Sequence, residues 1–205
     1  MYTFSHKTYI GKGVLMGVFG IFILAAIAVA VIYFVMLYNG LVSLKNNVKE
    51  AWANIDVLLK QRHDVLPKLV ETCKQYMGYE RDTLEKVMQA RAGVQQARES
   101  GDMAALGPAE AQMRVMIGKL YAVAEAYPQL KANESFQQLQ GRITGLENAI
   151  ADRREFYNDS VNLYNTRIQQ FPDVLVANQF SFKPGSLLEF SDEEKKDVDV
   201  KALFS

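Results

Sequence analysis

The chain has 205 residues, 49% hydrophobic and 22% charged, and its 23 basic and 23 acidic side chains cancel at pH 7. That balance offers no basic face for nucleic acid, so no nucleic-acid partner is expected. A single cysteine, Cys73, excludes an intrachain disulfide.

Residues 1–12 form a short polar arm carrying His6, Lys7 and Lys12. No charge then occurs until Lys45, and the apolar run GVLMGVFGIFILAAIAVAVIYFVMLYNGLVSL fills the gap. A bilayer core needs roughly 20 apolar residues as a helix, and this stretch exceeds that, so residues 13–40 read as a transmembrane helix. Ala28-Val29-Ala30 has the small-residue spacing of a signal-peptidase site, but the apolar sequence continues to Leu37. Signal peptides have apolar cores of only about 7–15 residues, which favours an uncleaved anchor. Tyr9, Tyr33 and Tyr38 stand where interfacial aromatic anchors are useful. Gly13, Gly17 and Gly20, with Ala28 near the same face, are candidates for close packing between membrane helices. Lys7 and Lys12 flank one side, while Lys45, Lys49, Lys60 and Arg62 flank the other. The larger positive count favours a cytoplasmic main domain with the short arm outside.

Beyond the anchor lie about 160 residues, enough for one domain with its own core. The expected domain covers residues 41–172. Leu41, Leu44, Val48, Ala51, Ile55 and Leu58 step by threes and fours, the seam of a helix packed lengthwise on others. The seam continues through Leu66, Leu69, Val70, Cys73, Tyr76 and Met77, and Pro67 should kink or loosen it. Gly78 suggests a turn before a second stripe of Leu84, Val87, Met88 and Val94, which Ser100-Gly101-Asp102 reverses. Leu106, Ala109, Met113, Met116, Leu120, Val123 and Tyr127 mark a third helix, ended at Pro128. A fourth carries Phe136, Leu139, Ile143, Leu146, Ile150, Tyr157, Val161, Tyr164, Ile168 and Phe171, ended at Pro172. No alternating strand pattern intervenes, so the fold class is all-α: an N-terminal transmembrane helix followed by a long antiparallel up-down four-helix bundle. An extended hairpin, with residues 41–99 as one helix against 104–171, is the alternative. Residues 173–205 read as an irregular tail. Within it Phe180, Phe182, Leu187, Leu188 and Phe190 surround the turn Lys183-Pro184-Gly185 and suit a strap across the bundle, and the mixed-charge stretch from Ser191 suits a mobile end.

Residues capable of chemistry are sparse. His6 and His63 are the two histidines, no Glu-x-x-His pair or His-Glu-x-x-His run occurs, and a lone thiol cannot make a zinc set. No phosphate-cradling glycine loop is present, so no catalytic residue, cofactor or metal is expected and the chain does not read as an enzyme. Cys73 sits on a seam position as an inert buried thiol. The most polar break in the first seam is Lys60-Gln61-Arg62-His63-Asp64, with Asp56 nearby. Arg62, His63 and Asp64 are there a candidate partner or ligand surface, or more plainly a solvated face with one intrahelical ion pair. Tyr157-Asn158 and Tyr164-Asn165 repeat at a spacing of seven, where amides can fix register and serve tyrosine hydroxyls. Arg153 and Glu147 invite the same structural reading.

Two stretches carry a family resemblance. YNGLVSLKNNVKEAWANIDVLLKQRHDVLPKLVETCKQYMGYE and YPQLKANESFQQLQGRITGLENAIADRREFYNDSVNLYNTRIQQFP together span most of residues 38–172 and resemble the LemA family in order, spacing and residue type. The resemblance implies a single N-terminal membrane helix and a four-helix, bromodomain-like bundle, but a poorly defined biochemical role. A magnetosome-associated relative implies membrane organisation, and neighbourhood with membrane metalloproteases implies envelope maintenance, both by association. The function expected is a non-enzymatic, membrane-anchored scaffold or interaction module of the bacterial inner membrane. The alternatives are a ligand- or lipid-sensing bundle and an accessory protein to a membrane protease. The expected partners are the lipid bilayer, a second copy of the chain in a homo-oligomer, and envelope membrane proteins.

Overall fold

A computed structural model describes residues 5–189, with side chains from residue 17 onward. The described residues form six helices and no strand: α1 Ser5–Lys74, α2 Arg81–Ser100, α3 Met103–Ala124, α4 Pro128–Lys131, α5 Glu134–Gln169 and α6 Asp173–Gln179. They divide into two compact units, one of residues 5–45 and 166–183, the other of 46–165 and 184–189.

The larger unit is the expected antiparallel bundle. Helix α1 ends at Lys74 and α2 starts at Arg81, so the chain turns around Gly78, as the four-helix reading requires. The next reversal has a clear local cause. Gly101 takes the left-handed conformation (φ 67°), which costs a glycine nothing, and Asp102 caps α3 by accepting from the Ala104 and Ala105 amides at 2.9 and 3.2 Å. Pro128 begins the one-turn α4 at the position where a missing N–H is harmless. Asn133 then caps α5, its Oδ1 accepting from the Phe136 amide at 2.9 Å. The core draws one stripe from every long helix: Ala51, Ile55, Leu66 and Leu69 of α1, Leu84 and Val87 of α2, Leu106, Met113, Ile117 and Leu120 of α3, and Phe136, Ile143, Ile150 and Val161 of α5. Cys73 is fully buried among them, and burial pushes its thiol up to about 11.

Pro67 lies inside α1 without ending it. Its missing N–H deprives the His63 carbonyl of the usual helical donor, and Arg91 of α2 supplies one, with Nε 2.9 Å from His63 O.

The smaller unit contains the apolar part of α1, the last turn of α5, all of α6 and residues up to 183. Helix α1 passes Asn39-Gly40 without a break. Its apolar side chains are exposed, Phe22 to 69% and Leu24 to 68%, and the helix is long and apolar enough to cross a membrane. Contrary to the irregular tail expected after Pro172, Asp173–Gln179 is helical. Seven residues are too few for a repeating seam to declare itself. Phe171, placed at the end of the fourth seam, is 79% exposed. Helix α6 closes with Ser181 in the left-handed conformation (φ 54°) and the Phe182 amide donating to Ala177 O at 2.9 Å, a Schellman-type reversal. Phe190 and the stretch 191–205 lie outside the described residues.

Candidate functional site

Two polar constellations occupy the bundle. The first centres on Arg62, which α1 carries three residues after Leu59 and four before Leu66, on the inner stripe of the helix. It is 1% exposed. Its Nη1 donates to Glu147 Oε1 of α5 at 2.7 Å, and its Nη2 donates to Glu110 Oε1 of α3. Arg114 Nε lies 3.7 Å from the other Glu147 oxygen. Burial by itself would lower the Arg62 pKa, but the charges of Glu110 and Glu147 outweigh it and hold the guanidinium above its ordinary value. The group is therefore a closed electrostatic tie between three helices.

His63 and Asp64 have different surroundings. His63 Nε2 faces Arg91 Nη2, an arrangement that needs a neutral imidazole accepting the guanidinium proton. Burial, and then the Arg91 charge, hold its pKa below the ordinary 6.5. Asp64 is on the surface in an i, i+4 pair with Lys60 at 2.8 Å. Asp56 pairs with Arg98 of α2. The cleft bounded by Leu59, Arg62, His63, Leu66, Arg91, Val94 and Met113 has a volume of about 10 Å³, the room of one water molecule at most. Three further charged groups lie in the interior. Glu110 and Arg154 are buried, and so is Asp173 of the smaller unit, where Arg167 Nε reaches its Oδ1 at 3.1 Å. Arg153, singled out earlier, is exposed, and its neighbour Arg154 takes the interior position.

The second constellation joins α5 to the extended segment 184–189. Asn158 Nδ2 donates to Leu188 O at 3.0 Å, and its Oδ1 accepts from Leu188 N at 2.9 Å. Asn165 repeats the pattern with Gly185, at 2.9 and 2.8 Å. Between them Tyr157 OH donates to Ser186 O at 2.9 Å. The repeat follows from two pitches. Seven helical residues rise about 10.5 Å, and three extended residues from Gly185 to Leu188 span about 10 Å, so two asparagines seven apart meet two peptide groups three apart. The amides thus imitate a neighbouring strand, and the partner that the sequence spacing suggested for them, the tyrosine hydroxyls, is replaced by backbone. On its other side the segment touches α3 at Gly107, where any Cβ would lie 2.7 Å from Glu189 O. Leu188 is buried in the bundle core.

A groove of about 670 Å³ opens where α1 ends and α2 begins. Val70, Met77, Leu84 and Met88 make its apolar floor, and Lys74 and Arg81 stand at its rim. Among the described residues no three His, Cys, Asp or Glu side chains gather as metal ligands. Gly17 and Gly20 have open space beside them, and Gly13 belongs to α1.

Comparison with known proteins decides the family. The family model described as LemA family matches residues 51–202. The chain belongs to the LemA family. It is 27% identical over 201 residues to Protein LemA of Metamycoplasma hominis, covering 97% of this chain and 90% of that one. It is 22% identical over 197 residues to Magnetosome protein MamQ 2 of Paramagnetospirillum magneticum (strain AMB-1), covering 85% and 72%. Magnetosome protein MamQ of Magnetospirillum gryphiswaldense is 22% identical over 171 residues, covering 72% and 63%. The family match takes in Arg62, Glu110 and Glu147 as well as the asparagine pair and the segment it holds.

Proposed function

We propose that this LemA-family chain is a non-enzymatic, membrane-anchored scaffold or interaction module of the bacterial inner membrane. The apolar half of α1 spans the bilayer, the helical domain lies in the cytoplasm and the short arm lies outside. One observation carries the reading: the polar centre of the bundle is consumed by its own ties. The guanidinium of Arg62 is spent on Glu110 and Glu147, and the space beside it is about 10 Å³. General acid–base or nucleophilic work needs a titratable group facing room for a substrate, and around Arg62 such groups face one another. Long exposed helix faces instead offer lateral contact area, and similarity to magnetosome proteins supports a part in membrane organisation. The partners are a second copy of the chain or other envelope membrane proteins. Graded cross-linking in native membranes is expected to give a ladder or a defined hetero-complex; a lone species at every exposure overturns the proposal. Reporter fusions at the N-terminal arm and at Ser205 test the orientation, with an active periplasmic reporter expected only on the arm.

The groove supports a second reading, ligand or lipid sensing. Its apolar floor suits an acyl chain, and Lys74 and Arg81 outnumber the one carboxylate of the lining, Glu85, in favour of an anionic head. A fatty acid is then expected to raise the unfolding temperature of the full chain in detergent. A Met88→Glu change should abolish the shift, and no shift with the unaltered chain removes this reading.

A further inference from the structure

We propose that the turn built around α6, presenting Phe171, Leu175 and Phe180, is a second point of attachment to the bilayer, dipping into the interfacial layer beside the membrane helix. The inference rests on the reading that the apolar half of α1 spans the membrane, and it concerns a segment far along the sequence from that helix. All of the residues involved belong to the smaller compact unit.

The depth of the turn follows from what it touches. The Phe180 ring lies 4.8 Å from the Tyr38 ring and 6.1 Å from the Phe34 ring, centroid to centroid. Phe182 lies edge-on to Tyr38 at 5.9 Å, and Lys45 Nζ stands 5.6 Å over the Phe182 ring. A hydrocarbon core takes about 20 helical residues, and the charge-free apolar run from Gly13 to Leu37 supplies them before polar Asn39. Phe34 is one turn inside the end of that run, and Tyr38 is at the boundary. A ring in contact with both is therefore level with the outermost part of the hydrocarbon and the headgroup layer above it. Lys45 marks the water side, two turns further along.

The composition of the turn agrees with that depth. Phe171 is 79% exposed, Leu175 60% and Phe180 49%, while Val176 and Ala177 face inward. Its acidic member Asp173 is buried and met by Arg167, so no carboxylate opposes entry. Large aromatic and aliphatic side chains left outside a folded unit call for a covering surface, and Phe and Leu are side chains that shallow interfacial helices bury at the headgroup–acyl boundary. The apolar surface of the turn is continuous, through Phe180, with that of a helix whose surroundings are lipid, which selects lipid as the occupant.

Nitrobenzoxadiazole labels on Leu175→Cys, Ile27→Cys and Tyr79→Cys, each in the full chain reconstituted into phosphatidylcholine vesicles, test this. Cys73 is buried, and the unsubstituted chain gives the labelling blank. Quenching lipids carry a doxyl group at carbon 5 or carbon 12 of the acyl chain. The label at 175 is expected to shift to the blue and to lose more emission to the carbon-5 quencher. The label at 27 should lose more to the carbon-12 quencher, and the label at 79, on a 99% exposed site, should respond to neither. Quenching at 27 with none at 175 overturns the second attachment and leaves the membrane span standing, including the case of a blue-shifted label at 175, which would mean protein rather than lipid covers the turn. Stronger quenching at 175 by the carbon-12 lipid overturns the interfacial depth. Absence of quenching at 27 and 175 alike sinks the span and the inference together.

Discussion

Arg62 shows how a charge can lie at the centre of an apolar bundle. Removing the guanidinium leaves Glu110 buried without it and Glu147 with only the longer contact to Arg114, at a cost of about 3–5 kcal/mol. Arg62→Ala is therefore expected to lower stability by about that amount in urea titration of the detergent-solubilised chain. The triple change Arg62→Met, Glu110→Leu, Glu147→Met should recover most of the loss, since apolar replacement of a whole buried cluster is often neutral or better. His63 gives a pH dependence of definite sign. Its folded pKa is held below 6.5, so the unfolded chain binds the proton more tightly. The stability this contributes is complete above the unfolded value near 6.5 and is lost as pH falls from there through the folded value. The unfolding temperature should thus drop on acidification below about pH 6.5, and His63→Gln should flatten that part of the profile; an unchanged slope would falsify the assignment. Glu110, Glu147, Arg154 and Arg62 also share a readable signal. Each sits three or four residues from buried apolar neighbours on its own helix, on the seam rather than opposite it. A charge in a seam points to a partner in another helix, but spacing within one helix cannot say which one.

At the scale of elements, the asparagine ladder and the end of α6 make separate predictions. Asn158→Ala and Asn165→Ala each remove a pair of hydrogen bonds worth about 1 kcal/mol apiece. The pair of changes together should free segment 184–189, read as faster amide exchange at Gly185 and Leu188 and as protease cleavage near Ser186. Gly107→Ala should do the same from the opposite side, because its Cβ meets backbone that a rotamer change cannot move aside. Unaltered exchange in both variants would show that Leu188 burial alone holds the segment. Ser181 adopts a left-handed conformation that costs a side-chain-bearing residue about 1 kcal/mol. Ser181→Gly is accordingly expected to raise the unfolding temperature by a few degrees. The long helices were legible because each carries a stripe of four or more apolar residues on one helical face. Helix α6 was not, being two turns between Pro172 and Ser181. The spacing of Asn158 and Asn165 was visible as a repeat, but its use depends on an extended segment whose partner residues lie 30 and 20 residues further on, a pairing of helix pitch with strand pitch that no single periodicity displays.

Over the whole molecule, the division of labour between the two units matches the division of the sequence. An apolar stretch dominates one, and heptad-like seams dominate the other. Family membership and the helical class could be read from the residues; partner and orientation depend on surfaces that a stripe pattern does not describe. If lateral association runs along the small-residue face, Gly17→Leu with Gly20→Leu should weaken cross-linking in membranes without altering the unfolding of the helical domain. Equal cross-linking in that variant would shift the contact to the bundle.

The hold on residues 184–189 has a consequence for what may be written there. All five hydrogen bonds that link Asn158, Asn165 and Tyr157 to the segment use peptide groups of Gly185, Ser186 and Leu188. Ser186 and Leu187 are thus gripped by their main chain or not at all, and both side chains are exposed. A clamp indifferent to spelling lets those two letters drift during divergence. It also gives an experimenter two positions to substitute with reporter residues while the fastening itself stays untouched.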